Sequence, residues 1–332
     1  MPIMKDNIST NSAGGTELMK FKLRDSVSSE LLDKFQIFVS RVHEEISDKH
    51  VRVLWLQDLA GDPESEHLKN GGWNKFHKLV FSSHWQMRGY IDRYNIPWSK
   101  CIVIRNAITP IDFVDKDRSG KIKLIYTPTP HRGLNILYSV FDKVSSEPGY
   151  ENIELDVFSS FKLYGWEQRD EQFKELFAKL EEHPKINYHG SVPNDVLREH
   201  LQKAHIFAYP STWQETSCLC LMEAMSAGLL CVHPNFGALP ETAANWTHMY
   251  QWHEDMNEHA KIFYTILKAT IDEVKIAEEA AYVNKIRTQK AYADVFYNWD
   301  FVKMQWVSLL ESLKDVPTGI NQSSGAFFEY KG

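Results

Sequence analysis

The feature that most constrains the fold of this chain is the alternation of short apolar runs with longer amphipathic stretches. Nine runs rich in β-branched residues follow this pattern: residues 35–40, 51–56, 78–83, 101–106, 122–127, 153–159, 186–190, 205–210 and 229–233. Runs of four to seven residues, apolar on both faces and separated by helical patterns, are typical of buried parallel strands. The sequence therefore predicts an α/β fold with a parallel sheet in each half.

A polar, turn-rich segment at 108–121 separates the first four runs from the other five and resembles a domain linker. The length of 332 residues also favours two domains over one core. We expect a small first domain over residues 1–110 and a second over 115–295. The first is expected to be reduced, because no apolar run before Gly14 could form an opening strand. The one-sided apolar pattern at 299–313 predicts a last helix that packs back on the first domain.

The overall charge and the cysteine pattern exclude several classes of protein. A net charge of −7 gives the chain no general attraction to nucleic acid or to an acidic membrane. The four cysteines contain no CxxC pair, which argues against a disulfide framework and a zinc site. No signal peptide and no long apolar span is visible. We expect a cytoplasmic protein that binds no nucleic acid and needs no metal, with peripheral membrane contact left open.

The most informative segment is residues 205–241. A strand at 205–209 is predicted to run into a loop, and a helix is predicted to begin near Thr216 or Ser217 and to end at Gly228. In parallel sheets, ligands lie at the carboxyl ends of strands, beside the free N–H groups and the positive dipole end of the next helix. The segment therefore predicts an anion site, for which a phosphate is the natural ligand.

Two carboxylates accompany this predicted anion site. Glu215 lies in the loop, and Glu223 lies about two turns along the helix among small and apolar neighbours. Carboxylates are badly placed to bind phosphate, but they accept hydrogen bonds from sugar hydroxyls. A carboxylate with apolar neighbours is also more easily explained by a buried partner than by a solvated surface. The pattern indicates a polyhydroxylated ligand that carries a diphosphate.

The same segment resembles the donor-binding motif of family 4 glycosyltransferases, which carry a Glu-x7-Glu signature that Glu215 and Glu223 match in spacing. The resemblance covers about residues 14–245 and is strongest at 186–241. It implies the GT-B fold, in which two Rossmann-like domains with parallel sheets face a cleft. It also implies retaining transfer of a sugar from a UDP or GDP type of donor to a glycan, lipid-linked or small-molecule acceptor.

The resemblance assigns a role to each residue of the motif. Glu215 would contact hydroxyls of the donor sugar, and Glu223 would contact the ribose of the nucleotide. The backbone N–H groups of Ser217, Cys218 and Leu219 would contact the sugar and the phosphates. The departing phosphate is expected to take the proton of the acceptor, so neither a metal nor a separate general base is implied.

The family also carries a basic pair after the first strand of the donor domain, an Arg followed five residues later by Lys-Gly. In this sequence Thr127 stands where the Arg is expected, and Arg132 stands before Gly133 where the Lys is expected. Arginine keeps the charge and adds a bidentate fork for phosphate. Arg132 is therefore expected to stabilise the leaving diphosphate as the one cation of the pair.

The first half carries two weaker matches to the family. Gly14 and Gly15 resemble the glycine-rich turn that approaches the diphosphate or the acceptor. Gln57 stands where the family often has a histidine near the reacting carbon, and it can form hydrogen bonds but cannot carry a proton. Asp58 is the next residue, and an acceptor-side role for the two is expected from their position.

Three other functions are compatible with parts of this sequence. A non-catalytic glycosyltransferase-like subunit is suggested by Thr127 and Gln57, which depart from the family pattern. A sugar-nucleotide 2-epimerase is disfavoured by the Glu-x7-Glu pair and by the absence of a fitting histidine. A Rossmann-type dehydrogenase is set aside, because no GxGxxG follows the first strand of either half.

Overall fold

A computed structural model describes residues 14–319 of the chain. Residues 1–13, for which the sequence predicts no strand, and residues 320–332 lie outside this range. The strands within it are β1 Phe35–Val39, β2 Val51–Leu56, β3 Lys78–Phe81, β4 Cys101–Val103, β5 Ile122–Tyr126, β6 Ile153–Val157, β7 Ile186–Tyr188, β8 Ile206–Ala208, β9 Leu230–Pro234 and β10 His248–Tyr250. The α-helices are α1 Gly15–Ser26, α2 Ser29–Leu32, α3 His84–Tyr94, α4 Leu134–Ser145, α5 Lys174–Glu182, α6 Asn194–Lys203, α7 Leu219–Ser226, α8 Leu239–Ala243, α9 Met256–Ile276, α10 Glu279–Phe296 and α11 Trp299–Leu313.

The first sheet has the order β1-β2-β3-β4, and all of its neighbouring strands are parallel. Strand β2 is buried along its whole length, in agreement with its unbroken apolar character. All four strands coincide with runs predicted from the sequence. Because their order never reverses, the described part of this sheet has no switch point at which a ligand crevice forms.

The second sheet has the order β10-β9-β8-β5-β6-β7 and is also parallel throughout. This is the order of a complete Rossmann-like domain, and it reverses between β5 and β8. The predicted α/β fold with two parallel sheets is confirmed. The crevice outside the carboxyl ends of β5 and β8 is the place where such folds bind ligands.

The last helix, α11, packs on the first sheet rather than on the second. Its Trp306 meets Trp55 of β2 with the ring centroids 4.8 Å apart at an interplanar angle of 65°, and both rings are buried. Asn298 caps this helix by accepting from the N–H of Phe301, and it pairs with Ile108 as an isolated bridge. The chain therefore passes between the halves at two adjacent points. We propose 1–110 and 115–295 as the domain limits.

A carboxylate from the second half caps a helix of the first half. Glu241 in α8 accepts hydrogen bonds from the backbone N–H groups of His84 and Trp85, each at 3.1 Å, and these residues begin α3. It also accepts from His84 Nδ1 at 3.0 Å and from Arg105 Nη2 at 3.3 Å. Although burial opposes ionisation, the hydrogen bonds from His84 and Trp85 hold the pKa of Glu241 below its usual value. The capping contact joins the two halves beside the cleft.

Two further properties concern the apolar character of the helices and the pairing of the cysteines. In residues 14–319, none of the helices combines the length and the apolar character that crossing a bilayer requires. The four cysteines are unpaired, and Cys218 and Cys231 are buried. The structure thus agrees with the absence of a disulfide framework that the sequence predicts.

Candidate functional site

The loops that follow β5 and β8 pack directly against each other at the switch point. Gly133, which ends the first loop, has a φ of +112°, and a Cβ atom at this position would lie 2.1 Å from the carbonyl oxygen of Pro210 in the second loop. The hydroxyl of Thr212 donates to the carbonyl oxygen of His131 at 3.2 Å. Only glycine combines this backbone conformation with so close an approach. The glycine expected from the resemblance thus has a structural reason in this chain.

An ion pair joins these two loops. Arg132 Nη1 donates to Glu215 Oε1 at 2.7 Å, and the hydroxyl of Tyr209 donates to the same oxygen at 2.5 Å. Glu215 is 4% exposed, and the side chain of Arg132 is 23% exposed. Burial alone would lower the pKa of Arg132, but the charge of Glu215 raises it well above its usual value. The guanidinium of Arg132 therefore stays charged inside the crevice, beside the carboxylate of Glu215.

Helix α7 begins beside this pair. The sequence predicts a start near Thr216 or Ser217, but the helix begins at Leu219, with Cys218 as its N-terminal cap. Thr216 instead donates its hydroxyl to the carbonyl oxygen of Gln57 in the first half at 2.8 Å. In the described residues, the buried hydroxyl of Ser217 and the Nε of Arg132 have no hydrogen-bond partner. Free N–H groups at the helix start, this hydroxyl and the guanidinium are all suited to an anion.

Glu223 lies further along α7 and is half-buried. Burial raises its pKa to about 7, and the charge of Arg198 opposes the rise. Within residues 14–319, no donor is found that forms a hydrogen bond to this carboxylate. A half-buried carboxylate that lacks a protein donor is well suited to accept from the hydroxyls of a ligand, as the resemblance implies for the ribose.

The raised pKa of Glu223 has a measurable consequence for stability. Because the folded-state pKa lies above the unfolded value, the protein loses stability as the pH rises from about 4.5 towards about 7. Glu223→Gln removes this titration, so we expect its stability relative to the wild type to increase by about 2 kcal/mol between about pH 5 and about pH 8. Urea unfolding at the two pH values measures the difference. Glu182→Gln, at an exposed position, is the control, and an equal change in both variants would contradict the prediction.

The position expected to hold the second cation has a neutral neighbourhood. Thr127 lies beside the thiol of Cys220 in α7, whose pKa burial raises to about 12. Neither group carries a charge near pH 7. Of the two positions at which the resemblance leads us to expect a cation, Arg132 alone carries one in this sequence.

An aromatic wall that the sequence analysis missed lines the crevice beside Arg132. His131 stacks on Phe161 with ring centroids 5.2 Å apart and meets Trp213 edge to face at 5.1 Å. Burial, together with the charges of Arg132 and Arg169, lowers the pKa of His131 to about 4. The imidazole is therefore neutral near pH 7. Rings of this kind pack on the faces of sugars and bases, but their loops are too far apart in sequence to form a motif.

The two glycines before α1 approach the second half closely. A Cβ atom on Gly14 would lie 2.6 Å from the ring of Tyr164, and one on Gly15 would lie 2.9 Å from Leu219 Cδ1 at the start of α7. A Cβ atom at either position would force the facing side chain to shift. The glycine turn is thus brought to the same crevice as the Glu-x7-Glu segment.

The candidate acceptor-side residues are engaged within the first half. Gln57 is buried, and its amide exchanges hydrogen bonds with Asn106, donating at 3.1 Å and accepting at 2.8 Å. Burial raises the pKa of Asp58, while a hydrogen bond from Ser40 opposes the rise. This pairing holds the amide of Gln57 in one orientation within the first half. The acceptor-side role of these two residues stays a prediction.

Comparisons with known proteins place these features in context. Residues 126–287 match the model of the family described as Glycosyl transferases group 1. No curated protein matches the sequence significantly. Among solved structures, a glycosyltransferase from Rickettsia africae ESF-5 is similar over 94% of this chain and 84% of its own, with a TM-score of 0.67 and 13% identity. The HepE protein of Anabaena, in complex with UDP-glucose, is similar over 80% of this chain and 73% of its own, with a TM-score of 0.58 and 15% identity. Sucrose-phosphate synthase from Thermosynechococcus elongatus is similar over 80% of this chain and 68% of its own, with a TM-score of 0.57 and 14% identity.

Proposed function

We propose, from the match of residues 126–287 to the glycosyl transferases group 1 and from the GT-B fold, that this protein is a retaining glycosyltransferase. It moves a sugar from a nucleotide-diphosphate donor to a hydroxyl group of a glycan, lipid-linked or small-molecule acceptor. The observation that carries the proposal is the buried Arg132–Glu215 pair at the switch point, beside the start of α7. The similar structures of HepE, one with UDP-glucose and one with UDP, support a donor of the UDP type.

The diphosphate of the donor would lie against the start of α7. The N–H groups of Ser217, Cys218 and Leu219 and the dipole of the helix favour the negative charge that develops on the leaving phosphate. Arg132 uses Nη1 for Glu215, and its Nε is without a partner in the described residues, so it can donate to phosphate while it keeps the ion pair. Glu223 would accept from the ribose.

Glu215 would hold the donor sugar rather than attack it. Both hydrogen bonds found to its carboxylate reach Oε1, which leaves Oε2 for a sugar hydroxyl. In the transfer step, the bond from the anomeric carbon to the phosphate oxygen breaks and a bond to the acceptor oxygen forms on the same face. The acceptor proton passes to the departing phosphate oxygen, and the proposal assigns no step to a metal ion.

Glu215→Gln tests this assignment. The amide keeps the shape of the side chain but loses the charge that supports the donor sugar as positive charge develops on its ring, so we expect turnover to fall about 100-fold. Affinity for UDP should stay within about threefold, since Arg132 and α7 remain. Release of UDP from a panel of nucleotide sugars measures turnover, and calorimetry measures affinity. Glu175→Gln, at an exposed position, is the control, and equal turnover in the wild type and Glu215→Gln would reject the assignment.

The alternative function is a non-catalytic subunit that binds a sugar nucleotide or a partner enzyme. It is favoured by Gln57, whose amide is paired with Asn106, and by the neutral Thr127. In that case the wild type binds UDP but releases none from any donor of the panel.

For either function we propose the cytoplasm as the compartment, which the unpaired cysteines support.

A further inference from the structure

A cluster of two histidines and one aspartate lies outside the Arg132–Glu215 pair. Asp156 is in β6, His189 follows β7 and His200 is in α6, so three elements contribute one residue each. His189 Nε2 lies 2.9 Å from Asp156 Oδ1, and His200 Nδ1 lies 3.6 Å from Asp156 Oδ2. One ligand atom from each residue lies within 4.8 Å of the other two. The two rings thus approach different oxygens of a single buried carboxylate.

These separations are close to those of a metal site. Two nitrogen or oxygen ligands about 2.1 Å from one ion lie at most about 4.2 Å apart, and about 3.4 Å apart in a tetrahedral site. The ligand atoms lie within 4.8 Å of one another, so rotation of the side chains is enough to bring Asp156, His189 and His200 towards these separations. The distance of 3.6 Å from His200 to Asp156 is too long for a hydrogen bond but ordinary for two ligands of one ion.

The surroundings hold the three groups in place. Asn187 Nδ2 donates to Asp156 Oδ1 at 3.1 Å, as an outer partner of a metal-bound carboxylate does. The ring of Phe158 stacks on His189 at 4.3 Å with an interplanar angle of 4°, and it meets the ring of His200 at 4.9 Å. These contacts orient the carboxylate and the two rings before any ion arrives.

An ion could reach this cluster from solvent. The side chain of Asp156 is 8% exposed, whereas those of His189 and His200 are 28% and 33% exposed. The histidines thus form the open side, where water can complete the coordination. Two imidazoles and one carboxylate suit Zn²⁺ and similar first-row divalent ions, whereas Mg²⁺ and Ca²⁺ prefer oxygen ligands alone.

We propose that Asp156, His189 and His200 bind one Zn²⁺-type divalent cation, which ties α6 to the second sheet. The site is separate from the proposed transfer chemistry and holds even if that function fails. The sequence shows no local ligand spacing, because Asp156 and His189 are 33 positions apart and only the fold brings them together. As a structural ion it would stabilise the fold without entering a reaction step.

Titration of the tag-free, chelator-treated protein with Co²⁺ and with Zn²⁺ tests the proposal. We expect one equivalent of Co²⁺ to bind with the visible absorption of a low-coordinate site, to be displaced by Zn²⁺, and to raise the melting temperature. His200→Gln should weaken binding at least tenfold, because one of three ligands is lost.

A matched variant separates this site from adventitious binding. His43→Gln removes an exposed histidine away from the cluster and should bind both ions as the wild type does. Asp156→Asn keeps the shape of the side chain, so a loss of binding in a variant that still shows native circular dichroism cannot be attributed to unfolding. Equal affinity in the wild type, His200→Gln and Asp156→Asn would overturn the proposal, as would the absence of binding to the wild type. The cluster would then be an ordinary ion-paired histidine network.

Discussion

Replacing Arg132 by alanine is expected to weaken the binding of UDP by about 30-fold to several thousandfold, or about 2–5 kcal/mol. The binding of uridine should change little. The large effect follows from three observations: the guanidinium is buried in the crevice, its charge is maintained by Glu215, and Thr127 supplies no second cation. A charge-assisted contact in such a place is stronger than one on the surface.

Calorimetry with UDP, GDP and uridine measures this effect for either type of nucleotide. Arg132→Lys should recover part of the affinity, because a point charge replaces a fork. Removing Arg132 also leaves Glu215 buried without its ion partner, so Arg132→Gln, which can still donate to that carboxylate, separates unfolding from lost phosphate contact. Arg88→Ala, on an exposed helical face, is the control. Affinity for both diphosphates within about twofold of the wild type would mean that another cation holds them.

Gly133→Ala is expected to destabilise the fold by at least about 3 kcal/mol. Alanine at a φ of +112° costs about 1–2 kcal/mol in backbone strain alone. Its Cβ would also lie 2.1 Å from the carbonyl oxygen of Pro210, an overlap that forces the two loops of the crevice apart. Because these loops carry Arg132 and Glu215, the ion pair should be strained as well.

Gly149 provides a matched control for this substitution. It has a φ of +90°, but nothing lies within 4 Å of the position that a Cβ would take. Gly149→Ala therefore measures the backbone cost alone, and the excess loss in Gly133→Ala measures the contact between the loops. Chemical denaturation of the three proteins gives both numbers. Similar stability of the two variants would show that the loops move apart at little cost.

Most of the fold could be predicted because buried parallel strands appear in the sequence as short runs of apolar residues. The nine apolar runs all contain strands, and the helix predicted at 299–313 is present as α11. Strand β10 was not predicted, since its three residues, His248–Tyr250, form no apolar run. The start of α7 was placed too early, because the contact between Thr216 and Gln57 lies between elements and leaves no local signal.

The site could be predicted only where its residues are close in sequence. Glu215 lies in the loop before α7 and Glu223 lies in α7 itself, so the two are close in sequence. Arg132 directly precedes Gly133. Local spacing of this kind is enough to predict that these residues line one crevice. The pairing of Arg132 with Glu215 spans 83 positions, and that of Gln57 with Asn106 spans 49. Such contacts depend on how loops from different strands pack, which neither periodicity nor composition records.

Because Glu241 of the second half caps α3, the hydrogen exchange of two backbone amides of the first half depends on whether the cleft is closed. Any rotation that separates the halves must break the hydrogen bonds from His84 and Trp85, because their acceptor belongs to the other half. The deuterium uptake of these two amides therefore follows the opening of the cleft rather than the unwinding of α3. A ligand that holds the halves together slows their exchange, whereas one that binds only the second sheet leaves it unchanged.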